Sequence, residues 1–277
     1  MGGHSLCRTG PAAALFGILR LFRRRYLERD LGRGRGCERN QRSAVRRRER
    51  FDPNRPGAHR AVAADRAGTG TVFLASSAGG VYAGASGAPH HEGTHPVPLG
   101  DYGFAKLQSE AIATEFGERT GINVAIGRFA NLYGPGQNLA KPQGLISHLC
   151  RGYLMASPVS IYVPMDTLRD YLYVSDAAEM VADTLAMSAT RRLSPTIKIF
   201  ASGEAVTIGS ILGACRTVFR RRPNVVLAAS PLAVFQGRDL RLRSTVWPQI
   251  DRRTHRTLPA GIASTLFATR QALGAGR

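Results

Sequence analysis

The stretch Thr71-Val72-Phe73-Leu74-Ala75-Ser76-Ser77-Ala78-Gly79-Gly80 decides the fold. An unbroken apolar and β-branched run of this length suits a buried strand, and the Ser/Gly cluster that closes it is turn chemistry. Toward the carboxyl end the same rhythm repeats. Residues 84–100 are a loop rich in Gly, Pro and His. Tyr102 to Arg119 has a helical pattern in which Ala105, Ala111, Ile112 and Phe116 can share a face, and Gly121 stands where a helix-ending glycine belongs. Ile122–Ile126 is a second apolar strand, Asn131–Gln143 a Gly/Pro loop, and Leu145–Met155 a helix. Ser160–Val163 and Tyr171–Val174 read as strands, with Ser175 or Asp176 capping a helix that runs to about Ala189. Thr196–Ala201 is a strand, Ile208–Phe219 a helix, Asn224–Ala229 a strand, and Ile262–Leu273 a last amphipathic helix. Strands alternating with helices predict an α/β fold with a parallel sheet.

Toward the amino end the rhythm stops. Residues 1–66 hold no alternating apolar run, and Arg20–Arg60 is dominated by Arg, Gly and Glu, which suits disorder or opportunistic helices around Ala12–Leu31. The sequence therefore divides into an atypical arginine-rich segment (1–66), the remaining part of a catalytic α/β domain (67–160), and a mixed substrate-binding region (161–277). The chain of 277 residues is 43% hydrophobic, enough to bury a core in one large domain or two modest ones. The apolar run Ala12–Leu19 is too short to span a membrane, and the arginines follow it rather than precede it, so it is also a poor signal peptide. Cys7, Cys37, Cys150 and Cys215 form no C-x-x-C pair, which suits reduced thiols and a cytoplasmic location.

The net charge of +19 invites nucleic acid as a partner, but its distribution argues against one. Residues 1–70 carry 17 arginines against 6 acidic residues, the remainder carries +8, and aromatic residues are not interleaved with the arginines. His90, His91 and His95 cluster in the loop before Tyr102 without an acidic or Cys ligand at a metal-site spacing, so a solvated loop is expected there.

The sharpest chemical signal is Tyr102-Gly103-Phe104-Ala105-Lys106 at a helix start. A spacing of four places phenol and ammonium on one face, one turn apart. A cation near a phenol favours the phenolate, and a phenolate is a usable base. Three further blocks accompany it in order: V-F-L-A-S-S-A-G-G-V-Y-A-G (72–84), G-R-F-A-N-L-Y-G-P-G-Q (127–137) and L-R-D-Y-L-Y-V-S-D (168–176).

Together these four blocks resemble the extended short-chain dehydrogenase/reductases, in particular the NAD-dependent epimerase/dehydratase family. The likeness covers roughly residues 70–220. It implies an incomplete Rossmann-like parallel sheet with helices on both faces, plus a small carboxyl-terminal substrate-binding subdomain. It implies NAD or NADP as cofactor, a nucleotide sugar as substrate, no membrane, and room for a homodimer. By the same likeness Tyr102 is the base and acid that exchanges a proton with a sugar hydroxyl. Lys106 is its partner and holds the nicotinamide ribose. Ser76 lies at the cofactor. The family's hydroxyl stands three residues before the Val of the first block, where this chain has Ala78, so Ser77 is the candidate for that role and for contact with substrate. Asn131 matches a substrate contact, supported by the Tyr133-Gly134-Pro135 loop, whereas Arg128 is expected to be structural. Arg169 matches a diphosphate-binding arginine, whose planar fork suits two phosphate oxygens, against the plainer alternative of an ion pair with Asp170. Arg238 stands near the place of a second such arginine.

The family also binds its dinucleotide through a G-x-x-G-x-x-G turn after its first strand. Gly32-Arg33-Gly34-Arg35-Gly36 follows no strand and fills its gaps with arginine, so it does not qualify. The segment before Thr71 is expected to be either sequence read in another frame or a degenerate relative's, and turnover by this chain is in doubt. Gly79-Gly80 occupy the places where dehydratases of the family carry an acidic pair, which favours an epimerase or a simple reductase. Reduction of a non-sugar carbonyl is an alternative within the fold; a non-catalytic, arginine-rich binder of nucleic acid is one outside it.

Overall fold

Strand β1 (Thr71–Ser77) lies in parallel beside β2 (Asn123–Phe129), and β2 lies in parallel beside β6 (Thr196–Phe200), giving the order β1-β2-β6. The computed structural model describes residues 70–141, 143–190, 195–229 and 237–274. The expected helices around 12–31, Cys7, Cys37 and the Gly32–Gly36 glycines lie outside these residues.

Parallel neighbours need crossover connections, and helices supply them. Helix α2 (Asp101–Thr120) follows β1 after the one-turn helix α1 (Ala78–Val81), and α4 (Val174–Thr190) precedes β6. Strand side chains alternate between faces. Val124 of β2 meets α2, since a Cβ added at Gly117 would sit 2.8 Å from its side chain. Arg128, four residues on, also reaches α2. Asn123, on the other face, donates to the Ser188 carbonyl of α4 at 2.6 Å. The sheet is thus covered by helices on both faces, as the family resemblance implied. On the α4 side Phe73, Phe129 and Phe200 pack with ring centroids 4.8 to 6.1 Å apart, and Gly127 leaves the room for them: a Cβ there would lie 2.6 Å from the Phe73 ring.

Beyond β2 the chain builds the second region. Strand β3 (Asn131–Tyr133) pairs in parallel with β5 (Leu168–Tyr173), which also pairs with β7 (Ala205–Thr207), antiparallel, and β9 (Asp239–Leu240), parallel. Strand β4 (Val159–Ile161) pairs with β8 (Val225–Leu227). Helices α3 (Leu145–Leu154), α5 (Ile208–Phe219) and α7 (Leu258–Gly274) share a core in which Ile146, Leu149, Ile211 and Ile262 are all buried. Each such side chain contributes about 1.5–3 kcal/mol. Helix α6 (Pro248–Asp251) is a single turn.

Several expectations need correction. Asn131–Tyr133, expected within a loop, is a strand. Neither Ser175 nor Asp176 caps α4, which starts at Val174 directly from β5; the Asp176 carboxylate instead accepts from the Arg256 backbone N–H at 2.7 Å. The apolar set of α2 is not its packed face, for Ile112 is 53% exposed and Gly103, Glu110 and Gly117 are the buried residues. Finally, His90 is not in solvent. It is fully buried, stacked on Tyr82 at 5.3 Å, and its backbone pairs with Arg241 and Arg243.

Candidate active site

Ser77 ends β1 in an extended conformation, and its hydroxyl accepts from the Gly80 N–H at 3.2 Å, closing α1. The cap uses a lone pair of that hydroxyl and leaves its proton to donate elsewhere. At Gly80 α1 lacks bulk because α2 sits on it. A Cβ at Gly80 would lie 2.9 Å from the Tyr102 ring, and a Cβ at Gly103 would meet the Gly80 carbonyl and Pro98. These two glycines therefore let the first turn of α2 rest against the turn that follows β1, with the Tyr102 ring laid over it.

Tyr102 is 55% exposed, on the outer surface of this junction. Lys106, one turn later, lies on the same side of the helix, with Nζ 5.6 Å from the centre of the Tyr102 ring. The ammonium donates to the Ala75 carbonyl at 3.0 Å, which among the described residues is its one hydrogen-bond acceptor. Two further N–H donors are then left for a ligand. Burial pushes the Lys106 pKa below its usual value, and the Glu110 carboxylate opposes that shift. The structure thus brings Tyr102, Lys106 and Ser77 to the carboxyl end of β1, where open α/β sheets place ligands.

Ser76 is arranged differently. Alternation turns it toward α2, where it is buried and donates to Glu110 at 2.5 Å. The hydroxyl expected at the cofactor is committed to a carboxylate. Arg128, expected to be structural, closes on the same Glu110, with Nη2 to Oε2 at 2.6 Å.

Asn131 and Arg169 lie on neighbouring strands. Asn131 pairs with Tyr171 in the β3–β5 register, and its amide donates to the Asp170 carbonyl at 3.0 Å. Arg169 is only 7% exposed, yet its guanidinium donates to the Leu168 carbonyl at 2.8 Å and the Arg238 carbonyl at 3.4 Å, and no carboxylate ion-pairs with it among the described residues. The alternative of an Arg169–Asp170 ion pair does not hold: Asp170 accepts from the Ser202 and Gly203 N–H groups, each at 2.8 Å. Burial lowers the Arg169 pKa, partly offset by Tyr171 and Asp239. Arg238 is exposed and ion-paired with Asp166, and meets Arg169 through its backbone carbonyl alone. A separate cleft of about 480 Å³ beside Ser202 and Arg243 includes none of Tyr102, Lys106, Asn131 or Arg169.

Sequence reasoning missed Glu110. Its signal was the position one turn after Lys106, which puts Tyr102, Lys106 and Glu110 on one stripe. Among the described residues no group of His, Cys, Asp and Glu is arranged to hold a metal ion, and no helix is long and apolar enough to cross a membrane.

Residues 40–197, more than half of the chain, match the model of the NAD dependent epimerase/dehydratase family. The match begins within the arginine-rich segment. An uncharacterized UDP-glucose epimerase of Bacillus subtilis is 29% identical over 138 residues, 50% of this chain and 39% of the relative. The dTDP-4-dehydro-6-deoxyglucose reductase of Escherichia coli is 28% identical over 142 residues, 51% of this chain and 43% of the relative. This chain therefore spans about two fifths of those relatives' length. Among solved structures, MoeE5 in complex with UDP-glucuronic acid and NAD matches with a TM-score of 0.64 at 30% identity, over 73% of this chain and 66% of MoeE5.

Proposed function

Because this chain belongs to the NAD dependent epimerase/dehydratase family, we propose that it carries the proton-transfer and diphosphate-binding residues of an NAD-linked nucleotide-sugar epimerase. The observation that carries this reading is the Tyr102–Lys106 pair, with Tyr102 exposed at the end of β1 and the half-buried ammonium 5.6 Å from the centre of the phenol ring.

The residues present fit the nicotinamide-ribose end of NAD, since Lys106 retains N–H donors beside an exposed phenol. When bound, NAD would supply the acceptor and donor of hydride, while the protein supplies geometry and electrostatics. Tyr102 takes the proton of the sugar hydroxyl as the carbon is oxidised and returns it when the ketone is reduced on its other face. Lys106 holds positive charge on the same side of the helix, 5.6 Å from the centre of the phenol ring, while that proton is away. Ser77 donates its free O–H to the reacting oxygen. Arg169 supports a diphosphate because a buried guanidinium with no carboxylate paired to it among the described residues lacks the anion that such a charge calls for. Asn131, on the adjacent strand, holds the sugar or the diphosphate beside it.

The turn at Gly79-Gly80 supports an epimerase over a dehydratase. An acidic side chain at Gly80 would press on the Tyr102 ring, 2.9 Å from the added Cβ, whereas one at Gly79 would meet nothing within 4 Å, so the preference rests on the acids being absent from both positions. The test is interconversion of UDP-glucose and UDP-galactose with added NAD, comparing the full chain with Tyr102→Phe. General acid–base catalysis contributes about 10²–10⁴-fold, so the variant is expected to lose turnover on that scale. Because Tyr102 is half exposed, its melting curve is expected to match that of the native chain within about 0.5 kcal/mol. Turnover retained in the Phe variant would refute the assignment.

A further inference from the structure

We infer that Glu110 and Arg128 are positioning residues for the Tyr102–Lys106 pair, with Ser76 acting through them: their buried contact fixes where helix α2 presents the pair beside the end of β1. The inference rests on the reading of Tyr102 and Lys106 as the proton-transfer pair, and adds the residues that hold it in place.

The contact is closed on every side. Glu110 is 4% exposed and Arg128 3%. Arg128 Nη2 meets Oε2 at 2.6 Å, and its Nε reaches Oε1 at 3.0 Å and Oε2 at 3.2 Å. Ser76 donates to Oε1. The remaining arm, Nη1, donates to the Tyr82 oxygen at 2.6 Å, and that phenol donates in turn to the His91 carbonyl at 3.0 Å. One carboxylate therefore ties α2 to β1, to β2 and, through Tyr82, to the loop that leads into the Tyr102 helix. Ser76 and Arg128 are direct partners in the β1–β2 register, so the carboxylate sits over one rung of the sheet.

Stability alone does not call for this arrangement. Desolvating two charges offsets most of their attraction, and a well-packed apolar pair often serves as well. What an apolar pair lacks is a preferred register. Lys106 holds the Ala75 carbonyl and Glu110 holds the next residue, Ser76. A slip of α2 by one turn, about 5.4 Å, would break every one of these bonds at once. Tyr102 lies one turn before Lys106 on the same stripe, so its height above Ser77 is set by the same bonds. The charged and titratable groups facing Lys106 are Tyr102 and Glu110 from its own helix, with Arg128 behind Glu110 on β2; β1 offers the Ala75 carbonyl.

The chain has three lysines, Lys106, Lys141 and Lys198, so the full chain labelled with 13Cε-lysine gives three resonances, assigned with Lys141→Arg and Lys106→Arg. Glu110→Gln is expected to move the Lys106 titration midpoint downward, since an anion one turn away is lost while burial stays. The Lys198 resonance, held by Asp251, is expected to stay in place and report an intact fold. With UDP-glucose and NAD, kcat is expected to fall about tenfold or more while KM stays within about twofold, a general-base effect rather than a binding effect. Should the Gln variant not fold, the double change Glu110→Leu with Arg128→Met removes both charges together; it is expected to keep its melting point while showing the same kcat change and a smaller downward shift of Lys106, since a cation is lost along with the anion. A Lys106 midpoint and kcat equal to the native values in a folded variant overturns the positioning role, whatever happens to the melting point. Turnover surviving Tyr102→Phe overturns the underlying reading instead, and the Lys106 resonance still reports the network on its own.

Discussion

Arg169 shows how far a single residue carries the chemistry. A buried guanidinium with carbonyl acceptors and, among the described residues, no carboxylate stands in a stretch whose next residue, Asp170, is committed elsewhere. If a diphosphate is the missing anion, Arg169→Met is expected to raise KM for UDP-glucose roughly ten- to a hundredfold, the equivalent of a charged hydrogen bond at about 1.5–3 kcal/mol. Its kcat is expected to stay close to native. Thermal stability is expected to hold or rise, because an unpaired buried charge is replaced by an apolar chain of similar length. A large fall in melting temperature with unchanged KM would make Arg169 structural. At this scale the sequence was informative about placement where residues sit at fixed spacings: Lys106 does lie on the same side of the helix as Tyr102, and Asn131 and Arg169 do lie on neighbouring strands. It was uninformative where burial depends on distant chain. His90 has polar neighbours in sequence, and only the fold lays it on Tyr82. Ser76 and Ser77 are equivalent as letters; alternation sends one to Glu110 and leaves the other at the strand end.

Helix α2 is the element on which the site depends, and its packing is carried by glycine and charge rather than by an apolar stripe. Gly103→Ala tests this. Alanine favours a helix interior over glycine by about 1 kcal/mol, so on propensity alone the variant would be more stable. Its methyl would however meet the Gly80 carbonyl and stand 2.7 Å from Pro98, and overpacking of this kind costs about 1–3 kcal/mol. The contact is expected to win, because the nearest atom is backbone and cannot rotate away. A lower melting temperature, together with a loss of turnover as Tyr102 lifts from Gly80, is the expected outcome; a melting temperature above native would mean that the two turns are not in close contact. This packing also explains why periodicity misjudged the face of α2. Ile112 repeats at helical spacing with the alanines, but glycines and Glu110 have no hydrophobic signature. The long elements were legible to within a few residues at their ends, as for Ile208–Phe219. The strands β3, β7 and β9 were not, because they lack the apolar run that marked the similarly short β4 and β8 and are defined by their pairing with β5.

Across the whole molecule, the alternation of strands and helices was enough to predict a parallel sheet, since each strand-helix unit must bury its apolar face on the next. How the two regions join was not legible, because the joint is a buried acid. Asp170 of β5 accepts from Ser202 N at 2.8 Å, Ser202 Oγ at 3.0 Å and Gly203 N at 2.8 Å, just past the end of β6, and so ties the second sheet to the first. Burial pushes its pKa up to about 6, against the lowering effect of those hydrogen bonds. A carboxyl group whose folded pKa lies above its unfolded value binds its proton more tightly when folded. Its contribution is therefore fully present below the unfolded value near 3.8 and is lost as pH rises through about 6. The size is at most about 3 kcal/mol, since each tenfold gain in proton affinity corresponds to roughly 1.4 kcal/mol. Asp170→Asn does not titrate, and its poorer match to three donors is a cost common to all pH values. The stability of the native chain relative to this variant, from urea unfolding at pH 4.5 and 7.5, is thus expected to be greater at the lower pH. The opposite drift would mean that the hydrogen bonds from Ser202 and Gly203 outweigh burial. A constant difference would mean that the carboxylate is reached by water, and that the two sheets are held together by packing around it rather than by the acid itself.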